Sequence, residues 1–167
     1  MAEYAVKIGE RVNLSEESTR ALRIAGLLHD VGKLAVPDDI LKKPGPLTEE
    51  EYEVMQRHVR IGEALIREVP QLKEVIQAVS CHHERYDGTG YPRGLQGENI
   101  PLLGRILAVA DAYSAMCLDR PYRKAMPLDS VCRELTAGAG TQLDPNITGL
   151  FLELLADEQK LSERAAA

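Results

Sequence analysis

Apolar residues recur along most of the chain at the three- and four-residue spacing that is typical of amphipathic helices. The first such stripe occupies positions 5, 8 and 12. Ser15 is a favourable N-cap for a second helix, and Thr48 with Glu51 forms a capping box before a third. Pro70 is expected to open a fourth helix. Three more helices are predicted over residues 101–118, 127–137 and 145–156.

Two segments lack this period. Residues 31–45 and 84–100 are rich in glycine and proline, and we predict that both are loops. A loop as long as 84–100 within a compact domain is usually functional or mobile. The chain contains no internal repeat and no alternating pattern typical of strands, so the sequence predicts an all-α fold.

Composition narrows the class of protein. The 167 residues predict one domain, with 44% hydrophobic and 28% charged residues. The net charge of −6 argues against a nucleic-acid polymer as partner, although a small phosphorylated ligand needs only a local basic cluster. Three cysteines without a short CxxC spacing favour reduced thiols and a cytoplasmic protein. The sequence shows neither a signal peptide nor a membrane segment.

The four histidines all lie on, or at the end of, an apolar helical stripe. A lone histidine in such a position is usually a hydrogen-bonded core residue, and several unrelated buried hydrogen bonds would explain the set without a ligand. Two aspartates, however, occupy similar inward positions, where a carboxylate needs a partner. Imidazole and carboxylate ligands together suit a binuclear centre of divalent iron, manganese, zinc or nickel. The candidate ligands are His29, Asp30, His58, His82, His83 and Asp111.

At these residues the sequence resembles a known family. The run HDVGK from His29 to Lys33 resembles the signature of the HD metal-dependent phosphohydrolase superfamily. The run HHERYDGTGYP from His82 to Pro92 resembles the second signature of its HD-GYP family. The resemblance extends over nearly the whole chain, through KPG at 43–45, DRPYRKA at 119–125 and GTQLDP at 140–145.

The resemblance implies hydrolysis of cyclic di-GMP to linear pGpG, with GMP as a further product, by two divalent metal ions, iron or manganese. It places His29, Asp30 and Asp111 on the first ion. It places His58, His82 and His83 on the second, with Asp30 bridging both. Lys33 would stabilise charge on the phosphate. Arg120, Arg123 and Tyr91 would contact the ligand, although the two arginines also suit helix C-caps and Tyr91 also suits a loop anchor.

Two departures from the family pattern stand out. The family has a further histidine, and in some members a glutamate, which by position would precede Met1. We therefore expect residues 1–167 to form a single, N-terminally incomplete HD-GYP domain from a longer signalling protein, in which an upstream sensor or receiver domain precedes it. Ser114 replaces an aspartate that the family usually carries one turn after Asp111.

These departures leave alternatives open. One is a silent HD-GYP module that binds a nucleotide, or a partner containing a diguanylate cyclase domain, through the loop of residues 84–100. Another is an HD phosphohydrolase for a different nucleotide, against which the loop around Tyr91 argues. Metal content and turnover distinguish a catalyst from a binding module.

Overall fold

The computed structural model describes residues 1–118 and 124–166, which form eight α-helices and no strand. Short 3₁₀ helices occupy Val31–Ala35, Pro70–Leu72 and Gly97–Asn99. None of the described helices is long and apolar enough to cross a membrane. The α-helices are α1 (Ala2–Arg11), α2 (Glu16–Leu28), α3 (Asp38–Leu41), α4 (Glu49–Arg67), α5 (Lys73–Val79), α6 (Leu102–Cys117), α7 (Leu128–Gly138) and α8 (Pro145–Ala166). The all-α prediction is confirmed.

Local side-chain caps start two of these helices where the sequence predicts. The Ser15 hydroxyl accepts a hydrogen bond from the Ser18 amide at 3.1 Å, ahead of α2. The Thr48 hydroxyl accepts from the Glu51 amide, and the Glu51 carboxylate accepts from the Thr48 amide at 2.7 Å, ahead of α4. Each cap satisfies amides that have no partner inside the helix.

The core lies around α6, whose buried side chains are almost all aliphatic. Helices α1, α2, α5, α7 and α8 pack against it, and α4 packs against α5. Tyr4, Tyr113 and Phe151 meet edge to face, with the Tyr4 and Tyr113 ring centroids 4.7 Å apart and those of Tyr113 and Phe151 5.0 Å apart. Such pairs stabilise a core beyond the area they bury. This core therefore fixes the helices that carry the site residues.

Four boundaries differ from the predictions. The helix expected to open at Pro70 begins as the 3₁₀ helix Pro70–Leu72, and α5 starts at Lys73. The α5 helix ends at Val79, so His82 and His83 lie in the turn after it and not on its apolar face. The segment predicted as a loop over residues 31–45 contains a 3₁₀ helix and α3. The α8 helix runs to Ala166, beyond the predicted end at residue 156, because polar residues continue the helix after its apolar stripe ends.

Close packing of Gly32 sets the distance between the adjacent residues His29 and Asp30 and helix α4. A Cβ built on Gly32 would lie 1.9 Å from the His58 carbonyl oxygen and 2.6 Å from the Gly62 amide nitrogen. Both atoms belong to the backbone of α4, so neither can move aside cheaply. Only glycine permits this approach, which brings the segment after Asp30 against the helix that carries His58.

Candidate metal centre

The structure brings the six predicted ligands into one cluster. Ligand atoms of Asp30, His58, His82 and His83 all lie within 4.8 Å of one another. His29 extends this group, because its Nε2 lies 3.4 Å from Asp30 Oδ2 and 3.6 Å from Asp111 Oδ1. The residues come from the end of α2, from α4, from α6 and from the turn after α5. Residues that are distant in sequence are therefore close together in the fold.

Three of the histidines are oriented in the same way. Nδ1 of His29 is 3.0 Å from the Gly26 carbonyl oxygen, three residues earlier in the chain. His58 and His82 repeat this contact with the carbonyls of Met55 and Val79 at 2.7 and 2.6 Å. A carbonyl oxygen only accepts, so Nδ1 carries the proton and Nε2 keeps its lone pair. Metal-ligating histidines are commonly oriented by such a bond.

The atoms that face the cluster lack ordinary partners. Asp30 Oδ1, His58 Nε2 and His82 Nε2 are buried and make no hydrogen bond within the described part of the chain. Leaving buried polar atoms unpaired costs about 1–3 kcal/mol each, so native proteins rarely tolerate several at one place. Two imidazole nitrogens and a carboxylate oxygen are the donors that a divalent transition metal takes. The residues present therefore fit a metal site.

The electrostatics keep Asp30 and three of the histidines in the forms that bind a metal. Burial lowers the pKa of His58 and His82, and burial with the nearby His58 lowers the pKa of His83 to about 3. These imidazoles are therefore neutral at pH 7 and able to coordinate. Burial opposes ionisation of Asp30, but His29 and Lys33 outweigh it and hold its pKa well below the usual range. The same contact with Asp30 raises the pKa of His29 against the effect of burial.

The cluster lies beside a cavity of about 560 Å³. Lys33 lines it, and its Nζ donates to Asp30 Oδ2 at 2.7 Å. Tyr91, on the loop of residues 84–100, also lines the cavity, with its ring stacked on His83 at a centroid distance of 4.9 Å. Burial raises the pKa of the Tyr91 phenol above its usual value, so the hydroxyl stays protonated and able to donate. Ligand cavities commonly have volumes of roughly 300–1,000 Å³.

The loop of residues 84–100 is held by a buried carboxylate that the sequence analysis did not identify. Glu84 is 3% exposed and accepts hydrogen bonds from the amides of Arg93 and Leu95 at 2.8 and 2.9 Å. The Tyr91 amide donates to the His83 carbonyl at 3.2 Å. A Cβ on Gly90 would lie 2.2 Å from the Arg85 amide nitrogen, so the loop folds back closely onto the histidine pair. A charged residue directly after two histidines was the available signal.

The family-like segment near the C-terminus supports the same loop. The amides of Tyr86 and Asp87 donate to the carbonyls of Gln142 and Thr141 at 3.2 and 2.8 Å. Asp144, 2% exposed, accepts from Arg105 at 2.6 Å and caps the start of α8. The run GTQLDP thus links the loop to α6 and α8.

The remaining predicted residues have separate outcomes. Arg120 and Arg123 lie outside the described residues, so their roles stay predictions. Ser114 lies on α6, one turn after Asp111. The metal-ligand, phosphate-stabilising and substrate-contact roles assigned to the other residues also stay predictions, although the structure places those residues in the cluster or in the cavity beside it.

Sequence comparison gives several relatives among characterised proteins. The chain is 45% identical over 154 residues to the cyclic di-GMP phosphodiesterase response regulator RpfG of Xanthomonas campestris pv. campestris, covering 91% of this chain and 41% of that protein. It is 41% identical over 150 residues to a cyclic di-GMP phosphodiesterase of Thermotoga maritima, covering 89% and 41%. It is 38% identical over 161 residues to the 3'3'-cGAMP-specific phosphodiesterase 3 of Vibrio cholerae, covering 95% and 35%. The chain spans about two fifths of the length of these relatives.

Solved structures share the fold. A cyclic GMP-AMP specific phosphodiesterase of Vibrio cholerae superposes with a TM-score of 0.71 at 19% identity, covering 96% of this chain and 44% of that one. A Bdellovibrio bacteriovorus protein described as an HDG"Y"P protein superposes with a TM-score of 0.72 at 18% identity, covering 93% and 50%. The HD domain family matches residues 1–147, and both signatures occur in order within that range. The chain therefore belongs to the HD domain family, in its HD-GYP group.

Proposed function

We propose that this chain is a metal-dependent phosphodiesterase that hydrolyses cyclic di-GMP to linear pGpG, with GMP as a further product. The observation that carries the proposal is the set of buried, unpartnered ligand atoms at the metal centre. Asp30 Oδ1, His58 Nε2 and His82 Nε2 lack partners within the described part of the chain, and the cavity beside them has room for a nucleotide. A catalytic centre explains both features together.

Two divalent transition-metal ions fit the donor set, which combines imidazole and carboxylate without a thiolate, and the resemblance favours iron or manganese. Asp30 suits the bridging role because its two oxygens face different histidines. Oδ2 lies 3.4 Å from His29 Nε2, and Oδ1 lies 3.5 Å from His58 Nε2. His29 and Asp111 would complete the first site, and His58, His82 and His83 would complete the second. When bound, the ions supply Lewis acidity at a phosphodiester oxygen.

The chain's own residues then orient the phosphate and stabilise its charge. Lys33 Nζ is held by Asp30 at the edge of the cavity, so its charge is in place before a phosphodiester arrives. The Tyr91 hydroxyl stays protonated and supplies a hydrogen-bond donor at the same cavity. The Tyr91 ring also covers one face of His83 and limits the access of water to that ligand.

The names of the relatives support cyclic dinucleotides as the substrate class. Two of the relatives described above are named for cyclic di-GMP and one for 3'3'-cGAMP. We infer cyclic di-GMP as the substrate of this chain, and an assay that includes both compounds separates the two. An upstream regulatory domain and a diguanylate cyclase partner remain predictions.

The first experiment is metal analysis of anaerobically purified protein, followed by a cyclic di-GMP turnover assay on the same sample. We expect two metals per chain and linear pGpG. A chain with no stoichiometric metal and no product would contradict the proposal and favour a nucleotide-binding module. Turnover of 3'3'-cGAMP alone would keep the catalyst and replace the substrate.

A matched pair of variants tests whether the unpartnered atoms are the reason for metal binding. Asp30→Asn keeps the side-chain shape but removes the charge and the bridging carboxylate, so metal content should fall by at least one ion per chain. Thr148→Val removes a buried hydroxyl that also lacks a partner within the described residues but lies on α8, which carries none of the candidate ligands. It should retain both metals. Equal metal content in the two variants would contradict the assignment of Asp30.

A further inference from the structure

One arginine in the cavity is held in a fixed orientation and has no role in the mechanism above. Arg85 follows the histidine pair by two residues and lines the same cavity as Asp30 and Lys33. Its Nε donates to Thr89 Oγ1 at 2.9 Å, and its Nη2 donates to Asp87 Oδ2 at 2.8 Å. Asp87 is itself fixed, because its Oδ1 accepts from the Thr89 amide at 3.0 Å. The turn thus holds the guanidinium before any ligand binds.

The contacts use only one edge of the guanidinium. Asp87 and Thr89 occupy the edge formed by Nε and Nη2. Within the part of the chain that the structure describes, Nη1 makes no hydrogen bond, and Nη2 has a second N–H beyond its bond to Asp87. These two groups form the end-on fork of arginine, which binds two adjacent acceptors on a planar group. Arg85 therefore presents a pre-oriented pair of donors.

The charge of the turn indicates which acceptor pair fits. Asp87 pairs with Arg85 at 2.8 Å, and Arg85 holds the pKa of Asp87 below its usual range, so the carboxylate is ionised at neutral pH. The net charge of the pair is close to zero, and its attraction for a phosphate is correspondingly weak. A neutral acceptor edge does not need that charge. The O6 and N7 atoms of guanine form such an edge, and arginine is its most common protein partner.

We propose that Arg85 selects guanine, by donating its end-on fork to O6 and N7 of a base whose phosphate lies at the metal centre. Adenine carries an N6 amino group in place of O6, and this group would face an arginine donor. Arg85 is then a specificity-determining residue, and Asp87 and Thr89 are positioning residues that act through it. This inference rests on the proposed function, because it takes the ligand to be a guanine nucleotide.

Equilibrium binding of GMP and AMP to the metal-loaded protein tests the inference without turnover. We expect the wild-type protein to bind GMP roughly 5- to 150-fold more tightly than AMP, the range that one bidentate contact supplies. Arg85→Ala should weaken GMP binding by a similar factor and change AMP binding little. A wild-type protein without preference, or a variant that weakens both nucleotides equally, would overturn the proposal.

Two further variants separate base recognition from charge and from loop damage. Arg85→Lys keeps the charge but lacks the fork, so it should lose the preference for GMP as Arg85→Ala does. A lysine variant that retains the wild-type ratio would show that charge suffices and would overturn the guanine assignment. Arg93→Ala is the matched control, because Arg93 is on the same loop but pairs with Glu63 at 3.5 Å and lines a different cavity. It should keep the wild-type ratio.

Turnover of cyclic di-GMP, measured on the same preparations, reports on the proposed function separately. A wild-type protein that discriminates GMP from AMP but does not cleave the cyclic dinucleotide would overturn the catalytic proposal and leave the role of Arg85 supported. A protein that cleaves cyclic di-GMP but binds GMP and AMP equally would support the catalytic proposal and overturn the role of Arg85. Unchanged unfolding temperatures of the Arg85 variants would show that the loop still folds.

Discussion

The metal centre and the loop of residues 84–100 both line one cavity, but they are positioned in different ways. Ligands of the metal centre come from helices or helix ends that pack closely, as Gly32 does against α4. The loop contains only the short 3₁₀ helix Gly97–Asn99 and is held by polar contacts, chiefly those of Glu84 and Asp87. Steric changes should therefore damage the metal centre most, and changes to hydrogen-bonding groups should damage the loop most.

The largest expected effect is that of Gly32→Ala. The new Cβ would meet the His58 carbonyl oxygen at 1.9 Å, so the segment from His29 to Lys33 and helix α4 must move apart. We expect a loss of about 3 kcal/mol or more in the free energy of unfolding, as for a severe overpacking change. Metal content should fall as well, since His29 and Asp30 move away from His58. Thermal unfolding and metal analysis measure both effects.

A glycine in open space provides the control for this substitution. Gly149 lies in α8, and a Cβ there would meet nothing within 4 Å. Gly149→Ala should stabilise the protein by up to about 1 kcal/mol through helix propensity and leave metal content unchanged. If Gly32→Ala behaved in the same way, close packing could not be what positions the metal ligands.

The pH dependence of the metal-free protein should separate the two regions. Burial lowers the pKa of His58, His82 and His83, so the unfolded chain takes up protons below pH about 6.5 that the folded chain refuses. Stability should therefore fall as the pH drops from 7 to 5, by up to about 1.4 kcal/mol per pH unit for each neutral imidazole. His29, whose pKa is raised, opposes this trend. Denaturant unfolding in chelator measures the slope.

The loop carboxylate Asp87 changes stability in the same direction as these histidines, but in a lower pH range. Its pKa is lowered by Arg85 and Thr89, so its contribution is present above its ordinary pKa and is lost only as the pH falls below about 4. Between pH 7 and 5 the histidines alone should account for the slope. His82→Gln should reduce it, and a variant with the wild-type slope would show that the buried histidines are not its source.

Glu84→Gln tests the loop with little change in shape. The carboxylate accepts two backbone amides, whereas a glutamine offers one acceptor oxygen and turns an NH₂ group towards the other amide. We expect a loss of about 1–3 kcal/mol from the unpaired buried amide. The metal ligands should stay in place, so KM for the cyclic dinucleotide should rise while metal content holds.

Glu98, on the same loop, supplies the matched control for Glu84→Gln. It is exposed, and Glu98→Gln should change neither stability nor KM. Loss of metal from Glu84→Gln to the extent seen with Gly32→Ala would mean that the loop and the metal centre are not separately held.

The same contrast explains how far the sequence could predict this protein. Helix starts at Ser15 and Thr48 were predicted correctly because caps depend on residues three positions apart. The end of α5 at Val79 was not predicted correctly, because the apolar pattern continues into the turn that carries His82 and His83. The candidate ligands followed from histidines and aspartates on apolar helical stripes, and the resemblance assigned them to two ions. Their proximity depends on tertiary contacts between α2, α4, α5 and α6 that have no local signal.

The loop of residues 84–100 shows more clearly which contacts the sequence could not predict. Glu84 and Arg85 were part of the recognised run, but nothing in the sequence indicated that one is buried against backbone amides and the other held by Asp87. A charged side chain in a glycine-rich loop is usually solvated, and only the folded chain shows which amides it meets. The pair formed by Arg105 and Asp144 was missed for the same reason.

The smallest expected effect is that of Thr48→Ala, at the start of α4. The substitution removes one half of the capping box, which costs about 1 kcal/mol in typical helices. His58 lies nearly three turns further along α4, where the packing of Gly62 against Gly32 holds the helix. Unfolding temperature should therefore fall slightly, while metal content and the GMP-to-AMP binding ratio stay at wild-type values. A change in metal content or in the binding ratio would show that the metal centre depends on the N-terminal cap of α4 as well as on the packed middle of the helix.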